Sequence, residues 1–181
     1  MTDMAKTRIT TAEFLELPES NQIRELIDGE IFVNPPKDAH QKIVINTALF
    51  LGSVIKGGQL RVAPTGVVFD ELNTPEPDVF WVSSENTHCE LGDDGLWHGA
   101  PDLIIEVLSP STARHDRVTK FQLYEKYGVR EYWIADPEMP SIEVWFLENK
   151  ILNYQGVYGL GKTFTSRVLN AAVETDRLLS E

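Results

Sequence analysis

The chain has 181 residues with an apolar fraction of 42%, enough to build one domain around its own core and too much for a disordered chain. Its 16 Lys and Arg against 28 Asp and Glu leave a net charge of −12, which excludes a protein that coats nucleic acid with a wholly basic surface. One cysteine, Cys89, excludes an internal disulfide framework and a cysteine-rich zinc module.

The N-terminal stretch Met1 to Thr11 is polar and charged, and the longest apolar runs fall far short of the ~20 residues that span a bilayer, so a cytoplasmic protein is expected. Residues 1–10 read as a tail. Thr10 and Glu13 form a capping box ahead of a short helix that Pro18 ends. Asp28-Gly29 supplies the positive φ of a tight hairpin turn between Arg24 and Val33. Asp38 is placed to cap a longer helix with apolar positions Ile43, Ile45, Leu49 and Leu51, closed by Gly57-Gly58. Strand periodicity follows at Leu60–Ala63, Val67–Asp70 and Asp78–Val82. Ser83–Gly99 is rich in Asn, Gly, Asp and His and reads as a polar loop.

Leu103 to Leu108 is apolar on both faces, the mark of a central strand covered on both sides. Ser111 or Thr112 leads into a helix over Arg117–Tyr127 with Gly128 at its end. Glu131–Ala135 is a further strand, and Ile142–Leu147, Ile151–Tyr158 and Phe164–Leu169 read as antiparallel edge material. Nothing marks an internal boundary, so residues 11–169 read as one α/β (α+β) domain and 170–181 as a loosely held tail.

Glu106 does not belong to its surroundings. Ile104, Glu106 and Leu108 share one face of a strand that is otherwise apolar throughout, and a buried carboxylate must be paired, protonated or metal-bound. A structural ion pair with an arginine accounts for it equally well. Asp78, at the start of another strand behind Pro77, adds a second carboxylate near a strand end. Two close carboxylates call for a divalent cation, and oxygen ligands favour Mg²⁺ or Mn²⁺ over zinc. Lys120, on the following helix, can present an ammonium to the same place, or stand as one solvated lysine among several.

Asp78, Glu106-Val107-Leu108 and Lys120 resemble the PD-(D/E)XK nuclease superfamily. More narrowly, the chain is similar to the Uma family of restriction-endonuclease-like proteins. The resemblance is carried by Glu25-Leu26-Ile27-Asp28-Gly29-Glu30, His40-Gln41, Pro77-Asp78, Pro101 through Thr112, Lys120, Tyr124, Gly128 through Trp133 and Asp136-Pro137. It implies a mixed central sheet flanked by helices with antiparallel hairpins at the edges. It implies a metal-dependent endonuclease that hydrolyses DNA phosphodiester bonds, with Mg²⁺ or Mn²⁺ held by Asp78, Glu106 and the Val107 backbone carbonyl. The superfamily's lysine two positions after the glutamate is Leu108 here, and the resemblance implies that Lys120 takes its role. It also brings Glu25 to the catalytic site and His40 near it. A nuclease-fold module that binds nucleic acid or protein without cutting is the alternative.

Other signals weigh less. Gly156 to Thr163 satisfies the phosphate-loop text, but a strand-like segment follows where a helix is required, so a glycine-rich hairpin turn and no nucleotide cofactor are expected. His40, His88, His98 and His115 lack zinc spacing. Trp97 remains a candidate platform for stacking single-stranded bases. Between Ala113 and Arg130, Arg114, Arg117, Lys120, Lys126 and Arg130 oppose Asp116 and Glu125, a local basic patch suited to phosphate approach; Arg114, Arg117 and Lys126 are candidate DNA contacts. A homodimer is expected, because cutting both strands of a duplex takes two sites, and Trp145, Phe146, Tyr154 and Tyr158 give the late strands an interface-like aromatic load.

Overall fold

The chain turns at Asp28 and Gly29, whose φ values of 50° and 73° close a two-residue hairpin between β1 (Arg24–Ile27) and β2 (Glu30–Val33). This computed structural model describes residues 8–18, 23–33, 37–110 and 113–180. Before the hairpin, α1 (Thr11–Leu15) carries the expected capping box, with Thr10 and Glu13 satisfying each other's backbone N–H groups.

After the hairpin comes α2 (Asp38–Val54), then β3 (Gln59–Val62), β4 (Val67–Val68), β5 (Val79–Val82), β6 (Cys89–Leu91), β7 (Trp97–Gly99) and β8 (Leu103–Val107). A π-helical turn (His115–Lys120) runs directly into α3 (Phe121–Tyr127), which Gly128 ends in the left-handed conformation. The chain finishes with β9 (Glu131–Asp136), β10 (Ser141–Glu148), β11 (Ile151–Gly159), β12 (Thr163–Ser166), β13 (Ala171–Glu174) and α4 (Asp176–Leu179). The proposed caps Ser111 and Thr112 lie outside the described residues. None of the described helices is long and apolar enough to cross a membrane.

The centre is a six-stranded mixed sheet in the order β11-β10-β9-β8-β5-β3. β8 and β9 are parallel, joined by the π turn and α3 as a crossover, whereas β5 runs antiparallel to β8. Trp81, Leu103, Ile105 and Trp133 pack on one face against Ile43, Phe50 and Leu51 of α2. Phe80, Ile104, Tyr132 and Ile134 pack on the other against Leu123 and Tyr124 of α3. The reading of Leu103–Leu108 as a strand covered on both sides is correct.

Several expectations need correction. In α2 the buried stripe is His40, Ile43, Val44, Thr47, Phe50 and Leu51, so Ile45 and Leu49 face solvent; the N-cap is Lys37 without a side-chain cap, and the helix ends before Gly57. Gly58 still has a job: at φ 79° a Cβ there would lie 2.2 Å from the Val82 carbonyl oxygen. Ser83–Gly99 is not a plain loop, because β6 and β7 join β4 in a three-stranded sheet. Strands of three residues are too short to display alternation. Within that sheet Trp97 is buried edge-on against Phe80, so it offers no stacking platform.

The chain end is also packed. Residues 171–179 carry β13 and α4, where Val173 and Leu178 are buried and the Asn46 amide donates to the carbonyls of Leu178 and Ser180. β12 pairs with β13 instead of joining the edge of the main sheet. Gly156 to Thr163 spans the end of β11, a turn and the start of β12, with strand on both sides.

Candidate active site

Strand register sets the two acids face to face. Val79 pairs with Ile105 and Phe80 with Ile104. Continuing by one residue places Asp78 opposite Glu106, on the sheet face that carries Ile104 and Phe80. Asp78 Oδ2 accepts the Val107 backbone N–H at 2.7 Å and lies 3.1 Å from His40 Nε2, which reaches it from the buried stripe of α2. Val107 therefore supports Asp78 through its N–H.

Lys120 converges on the same spot. Its ammonium is 2.9 Å from Glu25 Oε2, 3.1 Å from Glu106 Oε1 and 3.6 Å from Asp116 Oδ1. The Tyr124 hydroxyl donates to Glu106 Oε1 at 2.5 Å. His115 stacks on Phe32 at 4.1 Å and brings Nε2 to 3.7 Å from Glu25 Oε1. Leu108, where the superfamily carries its lysine, is buried among apolar side chains.

The π-helical turn makes this convergence possible. In a pure α-helix of 3.6 residues per turn, residues 116 and 124 would sit roughly 80° apart around the axis. The wider i→i+5 turn rotates less per residue and restores the alignment. Asp116, Lys120 and Tyr124 are all buried beneath one line of the helix.

Burial sets the electrostatics. Desolvation pushes the Glu106 carboxyl well above the usual carboxylate range, and the charges of Asp78, Asp116 and Glu25 add to it while Lys120 opposes it. Burial pulls Lys120 down, but Glu106, Glu25 and Asp116 outweigh it and hold the ammonium above its ordinary pKa. Glu76, between Pro75 and Pro77, is pushed up to about 7 by burial and by Glu25. Its Oε2 and His40 Nδ1 are buried without a hydrogen-bond partner among the described residues.

The structure thus brings together Glu25, Asp78, Glu106, Lys120 and His40. It leaves the proposed DNA contacts outside this cluster. Arg114 is exposed; Arg117 pairs with Glu143 and lies 3.9 Å from Asp136; Lys126 is exposed, 3.7 Å from Asp70. Sequence reasoning missed Glu76, Asp116, His115 and Tyr124 as neighbours of the site. The spacing of Asp116, Lys120 and Tyr124 at four-residue intervals was the available signal.

The donor set suits a hard divalent cation. Carboxylates of Glu25, Glu106 and Asp116 lie against the Lys120 ammonium, with Asp78 acting on Glu106 and Glu76 on the same charge cluster, and carboxylate oxygens are the donors Mg²⁺ and Mn²⁺ prefer. The ligands are not preassembled: among the described residues no three His, Cys, Asp or Glu side chains are arranged to hold a metal ion. Lys120 bridges the acids instead.

The mixed sheet with helices on both faces and antiparallel hairpins is a nuclease-like fold. A crystal structure titled as a putative nuclease belonging to DUF820, from Anabaena variabilis, superposes with a TM-score of 0.74 at 22% identity, covering 95% of this chain and 98% of that one. Residues 11–176 match the profile of the Uma2 family, described as putative restriction endonuclease, and the chain belongs to that family. It is also 25% identical over 160 residues to the uncharacterized protein slr1290 of Synechocystis sp., covering 82% of this chain and 81% of that protein.

Proposed function

We propose that the chain is a Mg²⁺- or Mn²⁺-dependent endonuclease that hydrolyses phosphodiester bonds in DNA. The observation that carries this reading is Asp78, just before β5, accepting the N–H of Val107 next to Glu106, with the Lys120 ammonium 3.1 Å from Glu106. Asp78 and Glu106 would hold the cation, with the Val107 carbonyl as a third ligand. When bound, the ion supplies Lewis-acid polarisation of the phosphate and lowers the pKa of a water.

The remaining work falls to the chain. Lys120, kept charged by its carboxylate partners, donates to the attacking water or to the phosphate oxygens as negative charge develops. Glu25 holds Lys120 in place. His40 and the Val107 N–H orient Asp78 by taking up its Oδ2. Arg114, Arg117 and Lys126 offer exposed positive charge for the flanking phosphates, although Arg117 and Lys126 must give up carboxylate partners to do so. Cleavage of both strands is assigned to a cytoplasmic homodimer.

A Mn²⁺-soaked crystal tests this reading. Anomalous density is expected between Asp78 and Glu106 and is expected to vanish in Asp78→Asn. The Lys120 bridge across the acids is the observation that favours the second reading, a non-cutting binding module. An empty site in the soaked crystal together with retained DNA binding would select that module.

A further inference from the structure

We propose that Tyr124 is a positioning residue for Glu106, deciding which carboxylate oxygen stays inside the protein and which is presented to the cation. The inference rests on the metal-dependent reading above. Tyr124 is fully buried and donates its hydroxyl to Glu106 Oε1 at 2.5 Å, and Lys120 lies 3.1 Å from the same oxygen. Both donors engage Oε1, which leaves Oε2 as the oxygen assigned to the cation.

The two donors are not equivalent. An ammonium on a four-carbon stem can turn from Glu106 toward the phosphate while Glu25 still anchors it, and its charge repels a cation. The Tyr124 hydroxyl carries no charge and has no stem to flex. Its ring is packed edge-on against Tyr132, centroids 5.1 Å apart, and lies 5.9 Å from Phe69. The Tyr132 hydroxyl in turn donates to the Asp116 carbonyl, which ties this aromatic pair to the π-helical turn. Tyr124 therefore keeps Glu106 in one rotamer when Lys120 moves to its work. Asp78 has a matching arrangement, with His40 and the Val107 N–H on a single oxygen. A ligand oxygen fixed through its partner oxygen is how outer hydrogen bonds tune a metal site.

The test measures Mn²⁺ binding to DNA-free protein by calorimetry for wild type, Tyr124→Phe and, as a control, Tyr127→Phe, whose hydroxyl serves Asp70 outside the site. Tyr124→Phe is expected to weaken Mn²⁺ affinity about 10-fold or more, the usual effect of losing an outer hydrogen bond, while Tyr127→Phe leaves it unchanged. Should Tyr124→Phe fail to fold, the Mn²⁺-soaked wild-type crystal decides. Glu106 Oε1 on the Tyr124 hydroxyl with Oε2 nearer the ion supports the proposal, and the reverse assignment overturns it. Unchanged affinity in Tyr124→Phe overturns the positioning role alone. Wild-type protein that takes up no Mn²⁺ at millimolar concentration overturns the metal-dependent reading and this inference with it.

Discussion

Lys120 and Glu25 form a buried ion pair, Nζ to Oε2 2.9 Å, that ties the π-helical turn to the hairpin at the start of the chain. Both side chains are almost completely withdrawn from solvent, so neither charge has water to fall back on. The pair holds the Lys120 ammonium beside Glu106.

Removing that ammonium strands its partners. Lys120→Ala is expected to lower stability at neutral pH by about 3 kcal/mol, measured by denaturant titration, because Glu25 and Glu106 lose their counter-charge. Cleavage is expected to fall ~10²-fold or more, as loss of an electrostatic stabiliser does. Adding Glu106→Gln to Lys120→Ala should recover part of the stability, since one buried charge then disappears.

Lys126 is the contrasting case. It is exposed, and its partner Asp70 has other donors in the Leu72 N–H, Asn73 and Tyr127. Lys126→Ala should change stability by no more than about 0.5 kcal/mol. DNA affinity should weaken modestly, with the salt dependence reduced by about one phosphate contact. A loss of cleavage as large as that of Lys120→Ala would place Lys126 in the site.

Strand parity alone made Glu106 legible, because a carboxylate in an apolar strand has few ways to be tolerated. The structure answers with Lys120 and Tyr124, not with the arginine pairing that was the competing explanation. Asp78 was legible as a carboxylate at a strand start, but its register opposite Glu106 depends on which strands pair, a non-local fact. Tyr124 was not legible as a site residue because a tyrosine on a helix reads as core. Asp116 and Tyr124, eight residues apart, share a buried line because the helix widens to a π turn, which their four-residue spacing to Lys120 does not by itself announce. The packed chain end was missed because Val173, Leu178 and Leu179 are a sparse apolar set amid charges.

Asp102 provides a pH test far from the acids. Although burial raises it, bonds from the Ser83 N–H, the Asn86 amide and Arg130 outweigh burial and hold its pKa below the ordinary aspartate value. A depressed carboxylate stabilises the fold above its unfolded pKa of about 3.9, and that contribution fades as pH falls through the folded value. Asp102→Asn should therefore be less stable than wild type at pH 7, with the gap closing below about pH 4. Denaturant midpoints measured across that range check the sign.

Cys89 should be chemically quiet. Burial and the nearby Asp102 charge push its thiol up to about 12, so almost no thiolate exists at neutral pH. An aromatic disulfide reagent is expected to label it only after unfolding. Rapid labelling of native protein would show that the β6 edge opens.

The most direct measurement is cleavage of supercoiled plasmid DNA by the wild-type chain, Asp78→Asn and Glu106→Gln, with Mg²⁺ or Mn²⁺ and with chelator. The account predicts nicked and linear product from wild type only when metal is present, and none above background from either variant, each of which keeps a folded circular-dichroism spectrum. Metal-independent cleavage by wild type, cleavage by either variant at the wild-type level, or no cleavage by wild type with either metal would contradict it.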